Sequence, residues 1–250
     1  LASGDLNGLP DDFTHLVHFA VWQGKVLDHD RAIRANAEAT GLLMAHCQHA
    51  EAALIASTNS VYRANEDPLH RYTETDPLGD PTAPHSPTYG VSKVSQEAVA
   101  RTMARVLDLP TTIARINASY GPNGGLPAYH GDWVAAGQTV WLREPGPNAY
   151  SPIHEEDMAR QVAALLDAAS TPATIVNWCG DDMVTAEDWT AAFGAHLGVD
   201  PEIARYDLPG GQPGSAADPT KRHSLTGPCS IDWRDGMIAT LEARTGSTGG

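Results

Sequence analysis

Short apolar runs alternate along this chain with longer stretches in which apolar residues recur every three to four positions. Residues 15–21, His-Leu-Val-His-Phe-Ala-Val, form a brief β-branched run that predicts a buried parallel strand. From 28 to about 50 the chain turns Ala-rich, with Ile33, Ala37, Thr40, Leu43 and Met44 at helical spacing, so a helix is expected to cover that strand. Residues 53–57 predict a second buried strand. Residues 63–88, rich in Pro, Asp, Thr and His and without apolar period, predict a long surface loop, a kind of connection that often carries function. A second helix runs from Ser86 or Tyr89 to Leu107 through Val91, Val94, Ala98 and Met103, and Asp108-Leu-Pro110 stops it. A third strand is expected at 111–118.

Strand, helix, strand, helix, strand is the pattern of a doubly wound parallel α/β sheet. Beyond Tyr120-Gly-Pro-Asn-Gly-Gly125 it loosens into a helix near 128–137, a strand at 139–142, a helix at 155–169 and a strand at 173–178. Thr185-Ala-Glu-Asp188 has the form of a capping box opening a helix that ends near Gly198. The glycines at 121–125 follow a strand but open no clear helix, and the Gly/Pro/Gln/Ser-rich stretch 210–215 is expected to be mobile.

Charge and cysteine usage narrow the classes. Sixteen Lys and Arg against 31 Asp and Glu give a net charge of −15, which argues against phosphate backbones or anionic lipid as the main partner. Cys47, Cys179 and Cys229 are far apart and odd in number, so neither a disulfide framework nor a cysteine zinc site is indicated, and a reducing cytoplasm fits. No apolar run approaches the ~18 residues of a membrane span. The first residue is Leu1, which leads to the expectation of a fragment or a processed chain.

Tyr89-Gly-Val-Ser-Lys93 stacks a phenol and an ammonium on one face at a helix start. Alone this is a weak signal, since a solvated Tyr and Lys on an exposed face would look the same. Ala56-Ser-Thr-Asn-Ser-Val-Tyr62 closes the preceding buried strand, where ligands collect in open α/β sheets. Together with Arg115-Ile-Asn-Ala-Ser-Tyr-Gly-Pro122, these motifs resemble the extended short-chain dehydrogenases/reductases, the NAD-dependent epimerase/dehydratase group. The resemblance runs through most of the chain: His18-Phe-Ala-Val21 is similar to the family's H-x-A-A, Asn36-Ala-Glu-Ala-Thr40 to its N-x-x-G-T, and Ser151-Pro-Ile-His-Glu-Glu-Asp157 to its f-i-h-v-x-D.

The resemblance implies a Rossmann-like domain over 1–122, with a strand and helix returning near 151–180, and a smaller substrate-binding region over 123–150 and 181–250. It implies Thr58, Tyr89 and Lys93 as catalytic, with NAD or NADP held by Asp5, Leu6, Phe19, Ala20, Val21, Asn36, Tyr89, Lys93 and Ala118. Asn59, Ser60, Asn117 and Tyr150 would face substrate. Gly4-Asp5-Leu6 resembles the end of the family's third strand, so the Gly-rich phosphate loop would lie before residue 1, and an N-terminally truncated sheet is expected. Ala118 stands where many nucleotide-sugar members carry Asn, and Tyr150 where they often carry Arg, which leaves a smaller or neutral alcohol or ketone at least as plausible as a nucleotide sugar. The family commonly dimerises through the helices matching 28–50 and 89–107, so a homodimer is expected. A non-catalytic dinucleotide-binding protein and an inert fragment are the competing functions.

Other histidines carry less. His46 and His49 share a helix flank with no third ligand nearby, so no metal is expected. The run His154, Glu155, Glu156 and Asp157 suits a helix N-terminus, while His85 and His130 are expected in active-site loops.

Overall fold

The computed structural model describes residues 6, 8–10, 12–79, 86–207, 209–212 and 214–246. In chain order the elements are β1 (His15–His18), α1 (His29–Ile33), a π-helical turn (Arg34–Glu38), α2 (Ala39–His46), β2 (Ala52–Thr58), a 3-10 turn (Asn59–Val61), α3 (Tyr89–Val106) and β3 (Thr111–Ile116). Then come β4 (Ser119–Tyr120), α4 (Leu126–Ala135), β5 (Val140–Glu144), β6 (Ala149–Tyr150), β7 (Ile153–His154), α5 (Glu155–Asp167) and β8 (Thr174–Trp178). The chain ends with β9 (Val184–Thr185), α6 (Ala186–Leu197), β10 (Ile203–Asp207), α7 (Thr220–Thr226) and α8 (Trp233–Gly246).

Two compact units divide these elements: residues 1–64, 74–116 and 162–177 form one, and 65–73, 117–161 and 178–250 the other. This differs from the expected division at 122, because residues 117–122 pair and pack within the second unit.

Among the described residues the first unit holds a four-stranded sheet in the order β1-β2-β3-β8. β2 runs parallel to both β1 and β3, pairing His15 with Ala52 and Ala53 with Thr111. All seven residues of β2 are buried, as a short apolar run in a central parallel strand should be. β1 departs from expectation: it stops at His18 and alternates, with His15 and Val17 exposed and Leu16 and His18 buried, as befits a strand that among the described residues has a neighbour on one side only. Leu16, Ala53, Ile55 and Ile113 on the sheet meet Leu43, Met44, Ala100 and Ala104 on the helices to form the core.

Two helical segments fix the site. The expected single helix over 28–50 is interrupted by the π-turn, which buries Asn36 and Ala37 side by side. α3 buries one stripe whose character changes along its length. Its first half presents Ser92, Lys93, Gln96 and Glu97, and its second half Ala100 and Ala104. The alanines continue the core, while the polar half has to be satisfied by hydrogen bonds.

In the second unit β5 pairs with β10, and Tyr120, Val140, Leu142, Trp189, Phe193 and Leu241 build its core. The capping box at Thr185 and Asp188 is formed, and α6 closes on Gly198 in the left-handed conformation. The glycines at 121–125 do open a helix: Gly125, at φ +108, caps α4, and a Cβ there would run into Ser119 O. Residues 210–212, 214 and 215 are more tied down than expected, with Gln212 and Gly214 buried and Ser215 N donating to Ala149 O at 2.8 Å. His130 lies in α4 rather than in a loop; it is buried, stacked on Trp133, and accepts from Trp189 Nε1 at 3.1 Å.

Candidate active site

Thr58, Tyr89 and Lys93 meet in the first unit. Thr58 ends β2, where its hydroxyl accepts from Ser60 N at 3.2 Å, and Tyr89 opens α3. Their side chains are hydrogen-bonded to each other, and Gln23 also bonds the phenol. Burial raises Tyr89 above the ordinary phenol value, with the bonds from Thr58 and Gln23 opposing. Lys93 lies one turn on, 2% exposed, and its Nζ donates to Ala56 O at 2.7 Å. Burial draws this ammonium down to about 8, against the field of Glu97.

A polar network backs these residues. Thr40 Oγ1 donates to Asn36 O at 2.6 Å and accepts from Gln96 Nε2 at 2.9 Å. A hydroxyl has one proton, so the 2.9 Å contact with His18 Nε2 makes that nitrogen the donor and assigns the tautomer of His18. Burial first, then Lys93, pulls His18 down to about 4, so it is neutral at neutral pH.

Asn36 spends its amide within the protein. Its Oδ1 accepts from Trp22 N at 2.7 Å, and its Nδ2 donates to Trp22 O at 3.0 Å and Ser92 Oγ at 2.9 Å. Ser92 Oγ donates in turn to Tyr89 O at 2.9 Å. Asn36 therefore anchors the segment carrying Gln23 to the first turn of α3 rather than reaching outward. Phe19, Ala20 and Val21 are exposed beyond the carboxyl end of β1. Asn59 is buried and Ser60 half-buried in the 3-10 turn after Thr58, and Leu6 is half-buried. Asp5 and His85 lie outside the described residues.

In the second unit, Asn117 Oδ1 accepts from Ala118 N at 2.8 Å and Ser151 N at 3.0 Å, while Nδ2 donates to Ser215 O at 2.6 Å. Those bonds occupy the amide on backbone. Tyr150 packs its ring 5.4 Å from that of Trp189, and burial raises its phenol. Among the described residues no group of three or more His, Cys, Asp or Glu could hold a metal ion.

Sequence reasoning missed Gln23, Glu97 and the network through Thr40 and Gln96. Spacing on α3 alone could have shown Glu97, which continues the Tyr89, Lys93 face by one more turn.

A parallel sheet with Thr, Tyr and Lys gathered where β2 ends and α3 begins defines a Rossmann-like enzyme of the short-chain dehydrogenase/reductase type. Residues 3–179 match the family model described as "NAD dependent epimerase/dehydratase family", and the chain belongs to that family. A search of curated protein sequences returns no match. Among solved structures, the UDP-glucuronic acid 4-epimerase from Bacillus cereus in complex with UDP-glucuronic acid and NAD is similar at TM-score 0.81 and 20% identity, over 94% of this chain and 76% of that one. The Thermus thermophilus UDP-glucose 4-epimerase complexed with NAD gives 0.79 and 21%, over 94% and 78%. A double mutant of the Streptomyces venezuelae dTDP-glucose 4,6-dehydratase with NAD bound gives 0.79 and 23%, over 95% and 75%. At these identities the likeness is one of fold.

Proposed function

We propose that this chain acts as an NAD-dependent oxidoreductase, epimerase or dehydratase working at a carbinol or carbonyl carbon through Tyr89, Lys93 and Thr58. The observation that carries the reading is the Tyr89–Thr58 hydrogen bond with Lys93 buried one turn on along the same helix. The donor set suits a nicotinamide nucleotide: an ammonium offers three N–H groups, and Lys93 gives one to Ala56 O, with the others available to ribose hydroxyls. When bound, such a cofactor supplies the acceptor or donor of a hydride.

The protein's own residues handle the proton. Burial keeps the Tyr89 phenol protonated at neutral pH, so it can donate to a carbonyl oxygen as charge develops there. In the opposite direction the Lys93 ammonium favours the phenolate. Thr58 hydrogen-bonds the same substrate oxygen. Phe19, Ala20 and Val21 border the cofactor, Asn36 serves it by holding the Trp22 segment, and Asn59 and Ser60 face substrate. Asp5, Leu6, Ala118 and Tyr150 keep the ligand-contact roles that the family resemblance gives them, while Asn117, whose amide is spent on the backbone of Ala118, Ser151 and Ser215, holds those segments instead.

The family and the cofactor in the similar structures support NAD, with NADP as the alternative. A nucleotide sugar is favoured as substrate by the UDP-glucuronic acid bound in one similar structure and the UDP-glucose in another. Ala118 and Tyr150 favour a smaller alcohol or ketone, since neither offers a diphosphate a cationic or amide contact. Leu42 on α2 and Val106 on α3 are exposed apolar residues on the two helices that would pair in a homodimer. The three cysteines form no disulfides, in keeping with a reducing cytoplasm, and among the described residues no helix is long and apolar enough to cross a membrane.

The test is calorimetric titration with NAD(H) and NADP(H), followed by turnover of nucleotide sugars and of simple secondary alcohols. Tyr89→Phe is expected to lower turnover by about 10²–10⁴ while leaving cofactor binding in place. Turnover near the unsubstituted rate in that variant refutes the assignment.

A further inference from the structure

The buried face of α3 continues past Lys93. Glu97 lies one turn on, 1% exposed, and its carboxylate takes both edges of one guanidinium: Arg115 Nε donates to Oε1 at 2.9 Å and Nη2 to Oε2 at 2.7 Å. Oε1 also accepts from Ser57 Oγ at 2.6 Å. On its far side Arg115 Nη1 donates to Tyr62 Oη at 3.0 Å and Glu74 O at 3.2 Å, and the guanidinium lies 4.8 Å over the Tyr62 ring. Tyr62 Oη donates onward to Asn177 Oδ1 at 2.6 Å.

Stability alone is a weak reason for such a pair, because desolvating two charges offsets most of their attraction and an apolar pair of similar volume often serves as well. Its placement is more informative. Glu97 follows Lys93 by one turn, Ser57 sits between Ala56, whose carbonyl holds Lys93, and Thr58, which bonds Tyr89, and Arg115 belongs to the next strand. One carboxylate thus joins α3, β2 and β3 directly beneath the three catalytic side chains.

Resting on the catalytic reading above, we propose that Glu97 is a positioning residue. Its bidentate hold on Arg115 and the bond it accepts from Ser57 fix α3 against β2 and β3 at the depth where Tyr89 meets Thr58 and Lys93 reaches Ala56 O. The carboxylate also sets the electrostatics of Lys93. The titratable groups around that ammonium are Tyr89 and Glu97 on its own helix and His18 on β1, with Arg115 on β3 beyond Glu97. Glu97 raises Lys93 against burial, so neutralising it leaves Lys93 facing an uncompensated guanidinium.

Lys25, Lys93 and Lys221 are the only lysines, so a ¹³C-lysine-labelled chain gives three Cε signals whose shifts follow protonation. In Glu97→Gln the Lys93 midpoint is expected to fall by about one unit, with Lys25 and Lys221 unmoved as internal references. A folded Glu97→Gln chain with Lys93 titrating at its original midpoint overturns the proposal. Should that variant fail to fold, Ser57→Ala decides, since it leaves the ion pair whole. A displaced Tyr89 ring ¹³Cζ signal supports the clamp, and an unmoved one overturns it. Neither readout needs turnover, so an active Tyr89→Phe enzyme would sink the catalytic reading and leave this result standing.

Discussion

Tyr89 and Lys93 were legible in the sequence because a four-residue spacing at a helix start places two side chains on one face whatever the rest of the chain does. Thr58 was picked out by the resemblance to the epimerase/dehydratase group; the strand pattern alone said only that a hydroxyl at the carboxyl end of a buried strand could reach Tyr89. The work of Asn36 was not legible, since its partners are Trp22, 14 residues away, and Ser92, 56 residues away. Spacing could place Glu97 on the Tyr89–Lys93 face but not show its work, since its guanidinium partner comes from β3, 18 residues on. Such residues are read from what they touch. Asn36→Ala removes three hydrogen bonds and strands the polar groups of Trp22 and Ser92, and is expected to cost about 1–3 kcal/mol in urea unfolding. Asn36→Asp keeps the acceptor for Trp22 N but sets a carboxylate oxygen against Trp22 O, where Nδ2 donated at 3.0 Å, and is expected to destabilise at least as much. An unchanged unfolding midpoint in Asn36→Ala would show that these bonds contribute nothing.

At the scale of elements, periodicity located β2, α3, β3, α5, β8 and α6, whose apolar or capping signals are local. It missed β10, whose residues alternate between exposed and half-buried with no apolar run, and α8, whose buried residues include Gly236 and Thr240 as well as Met237 and Leu241. It also smoothed over the π-turn, since Asn36 and Ala37 give no local sign that both are buried. Two substitutions probe what it did find. Thr185→Ala removes the hydroxyl half of the capping box on α6 and is expected to cost about 1 kcal/mol in thermal or urea unfolding. Gly41 lets α2 approach α3 so closely that a Cβ would stand 2.9 Å from Val99 Cγ1. Gly41→Val is therefore expected to destabilise by about 1–3 kcal/mol, and an unchanged unfolding midpoint would mean that the two helices separate freely.

Across the whole molecule, each unit buries a neutral histidine, and this makes acid a common threat to both. His18 in the first unit and His130 in the second are each drawn down from 6.5 to about 4, burial being the largest cause in both. Above pH 6.5 both imidazoles are neutral, folded or unfolded, and nothing is lost. Between 6.5 and 4 only the unfolded chain takes up the proton, so stability falls with pH, by roughly 3 kcal/mol per histidine once pH drops below the folded midpoint. Lys93 extends the same slope to the alkaline side of the first unit. Its folded midpoint near 8 lies below the unfolded 10.5, so the cost of burying its charge is fully present below 8 and is relieved as pH rises toward 10.5. Urea unfolding at pH 7, 5.5 and 4.5 should therefore show falling stability. His130→Gln, which can still accept from Trp189 Nε1, should remove that histidine's share of the acid loss and leave the share of His18. If the variant and the unsubstituted chain lose stability in parallel from pH 7 to 4.5, His130 is not held neutral in the folded state, and the buried ring contributes packing alone.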